Sequence, residues 1–90
     1  MATELVLKAQ AKTRLEQDPQ TNTSGQENDL IKFEKYVYCL KGQISCYIGK
    51  EKFTLKRGDG LSFESTIPHW FENDSAGESR CLVIQNPRYL

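Results

Sequence analysis

Residues 42–73 read GQISCYIGKEKFTLKRGDGLSFESTIPHWFEN, and this stretch decides the fold. Its first run, ISCYI at 44–48, carries apolar residues at every second position, which is typical of a half-buried β-strand. Gly49 and Lys50 then predict a hairpin turn, and a second turn follows at 56–60. Short strands about eight to twelve residues apart, with turns between them, predict an all-β sandwich or barrel.

Similar patterns flank this stretch. A β-rich run spans 30–40, and CLVIQ at 81–85 predicts a last strand. Near the N-terminus, apolar or small residues take every second position from Leu5 to Leu15. This alternation predicts a strand, although the composition and part of the spacing also fit a helix. The polar residues 17–29 contain proline and glycine and predict a loop.

The length of 90 residues is that of one domain. We predict a single domain over 1–90, with an N-terminal strand segment at 1–16, a loop at 17–29 and a barrel core at 30–90. A domain of this size buries only about 60% of the surface of its unfolded chain, so a partner subunit is the simplest added source of stability. We therefore expect a homodimer, in which aromatic residues of adjacent strands pack against the second subunit.

Charge and composition exclude several partners. The 12 basic and 12 acidic residues are interspersed, so we expect no nucleic-acid partner for this chain alone. No apolar run approaches the ~20 residues of a membrane-spanning helix, so we expect no membrane partner. The three cysteines lack a CxxC spacing, which is typical of reduced core thiols and predicts a cytoplasmic protein.

Three segments resemble the second half of a small cupin barrel. They read Gly42-x-Ile44-x-Cys46-x-Ile48-Gly49, Leu55-x-x-Gly58-Asp59-x-Leu61-x-Phe63 and Ile67-Pro68-His69-x-x-x-Asn73. The resemblance depends on the order and spacing of all three, and it covers the chain from Leu30 onward. It implies an all-β cupin-type barrel, the double-stranded β-helix or jelly roll. The same region looks like the cupin sensor domain of helix-turn-helix regulators.

The resemblance also implies a metal site, most of which this chain lacks. In metal-binding cupins the first motif supplies two histidines and a glutamate, and the second motif supplies another histidine. Here the glutamate position carries Lys35, the first two histidine positions carry Asn28 and Leu30, and His69 is the only histidine of the chain. A divalent cation needs three or four well-placed ligands. We therefore expect no metal and no other cofactor; if a metal is bound, we expect His69 and Glu34 to hold it.

We expect a ligand site at the barrel mouth to be formed by His69, Lys35, Cys46, Trp70 and Phe71. His69 either bonds a ligand or is a remnant that bonds a carbonyl near the rim. If Lys35 faces the cavity it favours a carboxylate or phosphate, but the rarity of buried lysines favours a solvated side chain, or one paired with Glu34 or Asp29. Cys46 fits a core residue better than a reactive thiol.

These features favour a non-catalytic cupin with a degenerate metal site that binds a small molecule, with an organic acid as the candidate ligand. The alternative is a metal-dependent cupin enzyme of the dioxygenase or isomerase class, with atypical ligands from Glu34, Asn28 or the loop. A metal-free isomerase or lyase with His69 as general base ranks last, because no partner carboxylate lies at a fixed spacing to orient it.

Overall fold

The computed structural model describes residues 2–18, 21–22 and 30–89, and within these ranges every regular element is a β-strand. The strands are β1 (Ala2–Leu7), β2 (Thr21–Asn22), β3 (Leu30–Lys41), β4 (Gln43–Ile48), β5 (Glu51–Lys56), β6 (Gly60–Glu64), β7 (His69–Glu72) and β8 (Ser79–Tyr89). This confirms the predicted all-β fold. No helix in the described ranges is long and apolar enough to cross a membrane.

The strands pair into two antiparallel sheets. In the first sheet β8 lies between β1 and β3, and the other side of β3 pairs with β6 and with the short β2. In the second sheet β4 lies between β5 and β7. Residues 10–18, here called the edge segment, run along the free side of β7 and hydrogen-bond to it. The N-terminal part of the chain therefore adds to both sheets.

Apolar side chains from both sheets form a core between them. The buried apolar members among the described residues are Leu7, Val37, Cys39, Ile44, Cys46, Ile48, Leu55, Phe71 and Cys81. Burial, with a smaller effect of the neighbouring cysteines, raises the pKa of Cys46 to about 12 and that of Cys81 to about 11. The three thiols are therefore protonated at neutral pH and fill space in the core.

The predicted turns are confirmed. Gly49 and Gly58 have φ angles of 59° and 92°, in the left-handed region that glycine adopts at little cost, and they connect β4 to β5 and β5 to β6. Pro68 lies immediately before β7, where its missing N–H costs no ladder hydrogen bond. These local signals fix where the strands of the second sheet begin and end.

The prediction of one strand from Leu5 to Leu15 is wrong. β1 ends at Leu7, Gln10 takes a φ of 65° in a turn, and the chain then crosses to the second sheet. The side-chain amide of Asn73 holds this corner, because its Nδ2 donates to the carbonyls of Leu7 at 2.9 Å and Gly77 at 2.7 Å. Apolar residues take every second position in the strands of both sheets, so this alternation does not show where the chain passes from one sheet to the other.

The predicted loop at 17–29 contains a short paired piece. β2 pairs with the beginning of β3, through Thr21 with Ile31 and Asn22 with Leu30. Residues 19–20 and 23–29 of the predicted loop lie outside the described residues. The barrel core predicted from residue 30 begins where β3 begins.

Candidate functional site

A buried lysine and a buried histidine meet between the sheets. Lys35 lies on β3 opposite Phe63 of β6, and its Nζ is 2.8 Å from Nε2 of His69, the first residue of β7. The other ring nitrogen, Nδ1, is 2.8 Å from the carbonyl oxygen of Ile67. A carbonyl only accepts, so Nδ1 carries a proton. In the neutral ring Nε2 is then an acceptor, and Lys35 donates to it.

The surroundings keep the imidazole neutral. Burial is the largest effect and lowers the pKa of His69, and the nearby charge of Lys35 lowers it further. The hydrogen bond to Ile67 and the carboxylates of Glu16 and Asp18 oppose this shift. His69 has no exposed surface, and the ring of Phe63 packs edge-on against it with centroids 5.0 Å apart. Its geometry suits it to hold the Lys35 amine in place.

Lys35 is only 5% exposed, so the expectation of a solvated side chain is wrong. Glu34, one of its two predicted partners, precedes it on β3, so the two side chains start on opposite faces of the strand. The ion-pair partner of Lys35 is Glu16 of the edge segment, with Nζ 3.8 Å from Oε2 and the carboxylate half exposed. Asp29, the other predicted partner, lies outside the described residues. An ammonium has three N–H donors, and one of them is taken by His69. Lys35 therefore has donor capacity left for a ligand.

A cavity of about 200 Å³ opens beside the Lys35 amine, between β1 and the edge segment. Leu5, Phe71 and Val83 supply apolar walls, while Glu16 and Gln85 supply polar groups. The amide Nε2 of Gln85 donates to Asp18 Oδ2 at 2.6 Å, which fixes the orientation of this amide. The cavity thus combines one buried cation with a mostly apolar lining.

The structure brings together only part of the predicted ligand site. Lys35 and Phe71 line the cavity, and His69 lies behind Lys35 without lining it. Cys46 is fully buried in the core away from the cavity, and Trp70 stacks on Tyr47. Trp70 follows an inward-facing residue of β7 and precedes another, so its side chain lies on the outer face. Cys46 and Trp70 therefore do not line the cavity that Lys35 and Phe71 share.

Glu16 and Gln85 line the cavity but are absent from the predicted ligand site. Gln85 stands in the predicted last strand, and its pairing with Lys35 follows from the β3–β8 register. Glu16 comes from a segment whose path the alternation did not show. The signal that points to Gln85 is its polar character in an otherwise apolar run, and no local signal points to Glu16.

The residues present do not fit a divalent metal. His69 and Glu34, the predicted pair of ligands, are separated because Glu34 precedes the inward-facing Lys35 and accepts a hydrogen bond from Ser62 at 3.2 Å. The Nε2 of His69 faces the Lys35 amine, a position that repels a cation. Within the described ranges, no three histidine, cysteine or acidic residues are close enough to hold a metal ion. Asn28 lies outside the described residues.

Comparison with known proteins identifies the family. The sequence model of the Cupin domain matches residues 22–85, more than half of the chain. The chain belongs to the cupin family. This confirms the resemblance seen in the three glycine- and histidine-containing segments, and the barrel is a small cupin-type β-barrel. No functionally curated protein matches the sequence.

Solved structures of other cupins share the architecture. The protein TT1209 of Thermus thermophilus superposes with a TM-score of 0.72 at 22% identity, over 94% of this chain and 70% of that chain. The cupin domain of an XRE family transcriptional regulator from Enterobacter cloacae gives a TM-score of 0.76 at 18% identity, over 99% and 80%. A sugar phosphate isomerase of the cupin superfamily from Silicibacter pomeroyi gives 0.68 at 15% identity, over 99% and 55%. Such likeness shows the fold alone.

Proposed function

We propose that this cupin domain binds a small carboxylic acid in the cavity beside Lys35 and does not convert it. The observation that carries the proposal is the position of Lys35: this residue is 5% exposed, lines the cavity and donates its amine to the neutral Nε2 of His69. A buried cation with spare donors is a recognition group for an anion, and hydrogen bonds to a charged group are the strong ones.

The size and lining of the cavity favour a compact ligand. A volume of about 200 Å³ is below the roughly 300–1,000 Å³ of pockets for drug-sized molecules. Leu5, Phe71 and Val83 match a short hydrocarbon chain. A short aliphatic acid such as butyrate satisfies both features, with its carboxylate on Lys35 and its chain against the apolar walls.

Glu16 is the group with which such a ligand competes. Its carboxylate lies 3.8 Å from the Lys35 amine, while its backbone exchanges two 2.8 Å hydrogen bonds with His69. The backbone is therefore held and the half-exposed side chain is free to turn toward water. An incoming carboxylate displaces that side chain and takes its place beside Lys35.

The test is a titration of the protein with butyrate, followed by NMR chemical shifts of the backbone amides. We expect saturable shifts around Lys35 with a dissociation constant on the order of 1 mM, because a ligand of so few atoms makes few contacts. Lys35→Met keeps an unbranched side chain that is one atom shorter and removes the charge, and we expect it to weaken binding at least about tenfold.

Lys50→Met is the matched control, since Lys50 is an exposed lysine of the β4–β5 turn. Equal binding by Lys35→Met and Lys50→Met would contradict the proposal, and so would the absence of saturable shifts in the unmodified protein. A change in the mass or spectrum of the acid during the titration would contradict the claim that the ligand is not converted.

A cytoplasmic location and a homodimer also stay predictions. The exposed apolar side chains Tyr36 and Leu40 of β3 are consistent with packing against a second copy. Light scattering at micromolar protein concentration separates a dimer from a monomer.

A further inference from the structure

The outer face of the second sheet carries a column of stacked groups. The rings of Tyr47 and Trp70 are parallel within 4°, with centroids 4.7 Å apart, and the Nζ of Lys52 lies 5.5 Å from the centre of the Tyr47 ring. Tyr47 pairs with Lys52 on one side and with Trp70 on the other. One face of the Trp70 ring therefore contacts Tyr47, and the opposite face is directed toward the edge segment.

The edge segment contains a β-bulge directly opposite Trp70. Thr13 N donates to the carbonyl of Phe71 at 2.9 Å, and the next paired residues are Glu16 and His69, which exchange two hydrogen bonds of 2.8 Å. Two residues, Arg14 and Leu15, thus oppose the single residue Trp70. Bulges bend a strand and redirect its side chains, and they are frequent beside binding sites.

The bulge opens a groove between the edge segment and Trp70. This groove has a volume of about 400 Å³ and is lined by Lys12, Thr13, Arg14, Leu15 and Trp70. Two of these side chains are cations, and Leu15 is 63% exposed, an unusual exposure for a leucine beside an aromatic ring. Glu72 lies opposite Lys12 in the pairing of the edge segment with β7, and its Oε1 accepts the indole N–H of Trp70 at 3.1 Å. The groove therefore has two cations against the one carboxylate of Glu72 beside it, and Trp70 gives it a flat apolar wall.

We propose that this groove binds a small planar anion, an aromatic or heteroaromatic ring that carries a phosphate or carboxylate. The ring stacks on the free face of Trp70 and extends the column of Lys52, Tyr47 and Trp70, while Leu15 covers its edge. Lys12 and Arg14 bind the anionic group. The groove is on the opposite side of β7 from the Lys35 cavity, so it does not depend on the proposed carboxylic acid site.

Trp70 is the only tryptophan of the chain, so its fluorescence reports on the groove directly. The probe is adenosine monophosphate, which joins a planar base to a phosphate. We expect it to quench Trp70 saturably, and we expect inorganic phosphate alone to leave the fluorescence unchanged because it brings no ring. Replacing both cations, in the variant Lys12→Gln/Arg14→Gln, is expected to weaken binding about tenfold, and added salt to weaken it as well.

Two controls keep the result specific. Lys50→Gln removes an exposed lysine of the β4–β5 turn and is expected to bind the probe like the unmodified protein. Lys35→Met alters the cavity on the inner side of β7 and is expected to leave quenching by the probe unchanged. If Lys35→Met abolishes butyrate binding and not this quenching, the two sites are separate.

Deletion of Leu15 tests the bulge itself. The deletion leaves one residue opposite Trp70 and is expected to abolish quenching by the probe while the circular dichroism spectrum stays that of a β protein. The proposal is overturned if adenosine monophosphate gives no saturable quenching. It is also overturned if quenching is equal in the Lys12→Gln/Arg14→Gln variant, or if phosphate alone quenches as strongly.

Discussion

The two faces of β7 differ in how their side chains are held. On the inner face, His69 and Phe71 are almost completely buried, and His69 holds a lysine amine at 2.8 Å. On the outer face, Trp70 is half buried, stacks on Tyr47 and borders an open groove. Three consecutive residues thus belong to two different sites, because successive side chains of a strand point to opposite faces. Position along the sequence says little about which residues act together.

The bulge of the edge segment connects these two faces. The extra residue between Thr13 and Glu16 lets both of these side chains face the inner cavity, and it leaves Arg14 and Leu15 on the outer side. A regular strand would alternate strictly and could not place Thr13 and Glu16 on the same face. One irregularity therefore shapes both sites.

The largest expected difference between the faces is in stability. His69→Ala removes a fully buried ring and leaves the Lys35 amine without its acceptor, so we expect a loss of about 3 kcal/mol in the free energy of unfolding. Trp70→Leu keeps part of the apolar contact and loses the stacking, for which we expect about 1 kcal/mol. Urea denaturation, monitored by circular dichroism, measures both losses in the free energy of unfolding. Equal losses would contradict the proposed difference between the inner and outer faces of β7.

The next difference is in the response to pH. The folded-state pKa of His69 is lowered below its ordinary value of 6.5, so the folded protein binds the proton more weakly than the unfolded chain. Its contribution to stability is complete above pH 6.5 and is lost as the pH falls from there through the lowered folded-state pKa. For one proton, the free energy of unfolding falls by at most about 1.4 kcal/mol for each pH unit.

The variant His69→Gln tests this by comparison with Trp70→Leu. The free energy of unfolding is measured by urea denaturation at a series of pH values. We expect its decline below pH 6.5 to be smaller in His69→Gln than in the unmodified protein, and unchanged in Trp70→Leu. Carboxylates contribute their own decline at lower pH in all variants. If the free energy of unfolding of His69→Gln falls as steeply just below neutrality as that of the unmodified protein, His69 is not the group that titrates.

The smallest expected effect concerns ligand affinity on the inner face. Glu16→Gln removes the negative charge that competes for Lys35, so we expect butyrate to bind about threefold more tightly; the gain is limited because the carboxylate is half exposed and screened by water. Glu51→Gln, an exposed glutamate of β5, is the matched control. Weaker binding of butyrate by Glu16→Gln would mean that Glu16 contacts the ligand favourably. Quenching of Trp70 by adenosine monophosphate is expected to be the same in Glu16→Gln and Glu51→Gln.

Much of the fold could be predicted because its signals are local. Alternation in 44–48, the glycines at positions 49 and 58 and the proline at 68 act through the conformations that each residue prefers, and the strands begin and end where these signals lie. The family resemblance carried by the same segments is confirmed by the match over residues 22–85.

The candidate sites depended on pairings between distant parts of the chain. Whether Lys35 was solvated or buried was decided by His69, which is 34 positions away and lies on the facing sheet. The places of Glu16 and Trp70 were decided by the crossing of the chain at Gln10 and by the bulge opposite β7. The sequence by itself determined the strands and turns between residues 42 and 73 and the cupin barrel, because those follow from short-range preferences. Only the tertiary structure decided which charged groups meet, because register, bulges and the facing of two sheets are properties of the packed chain.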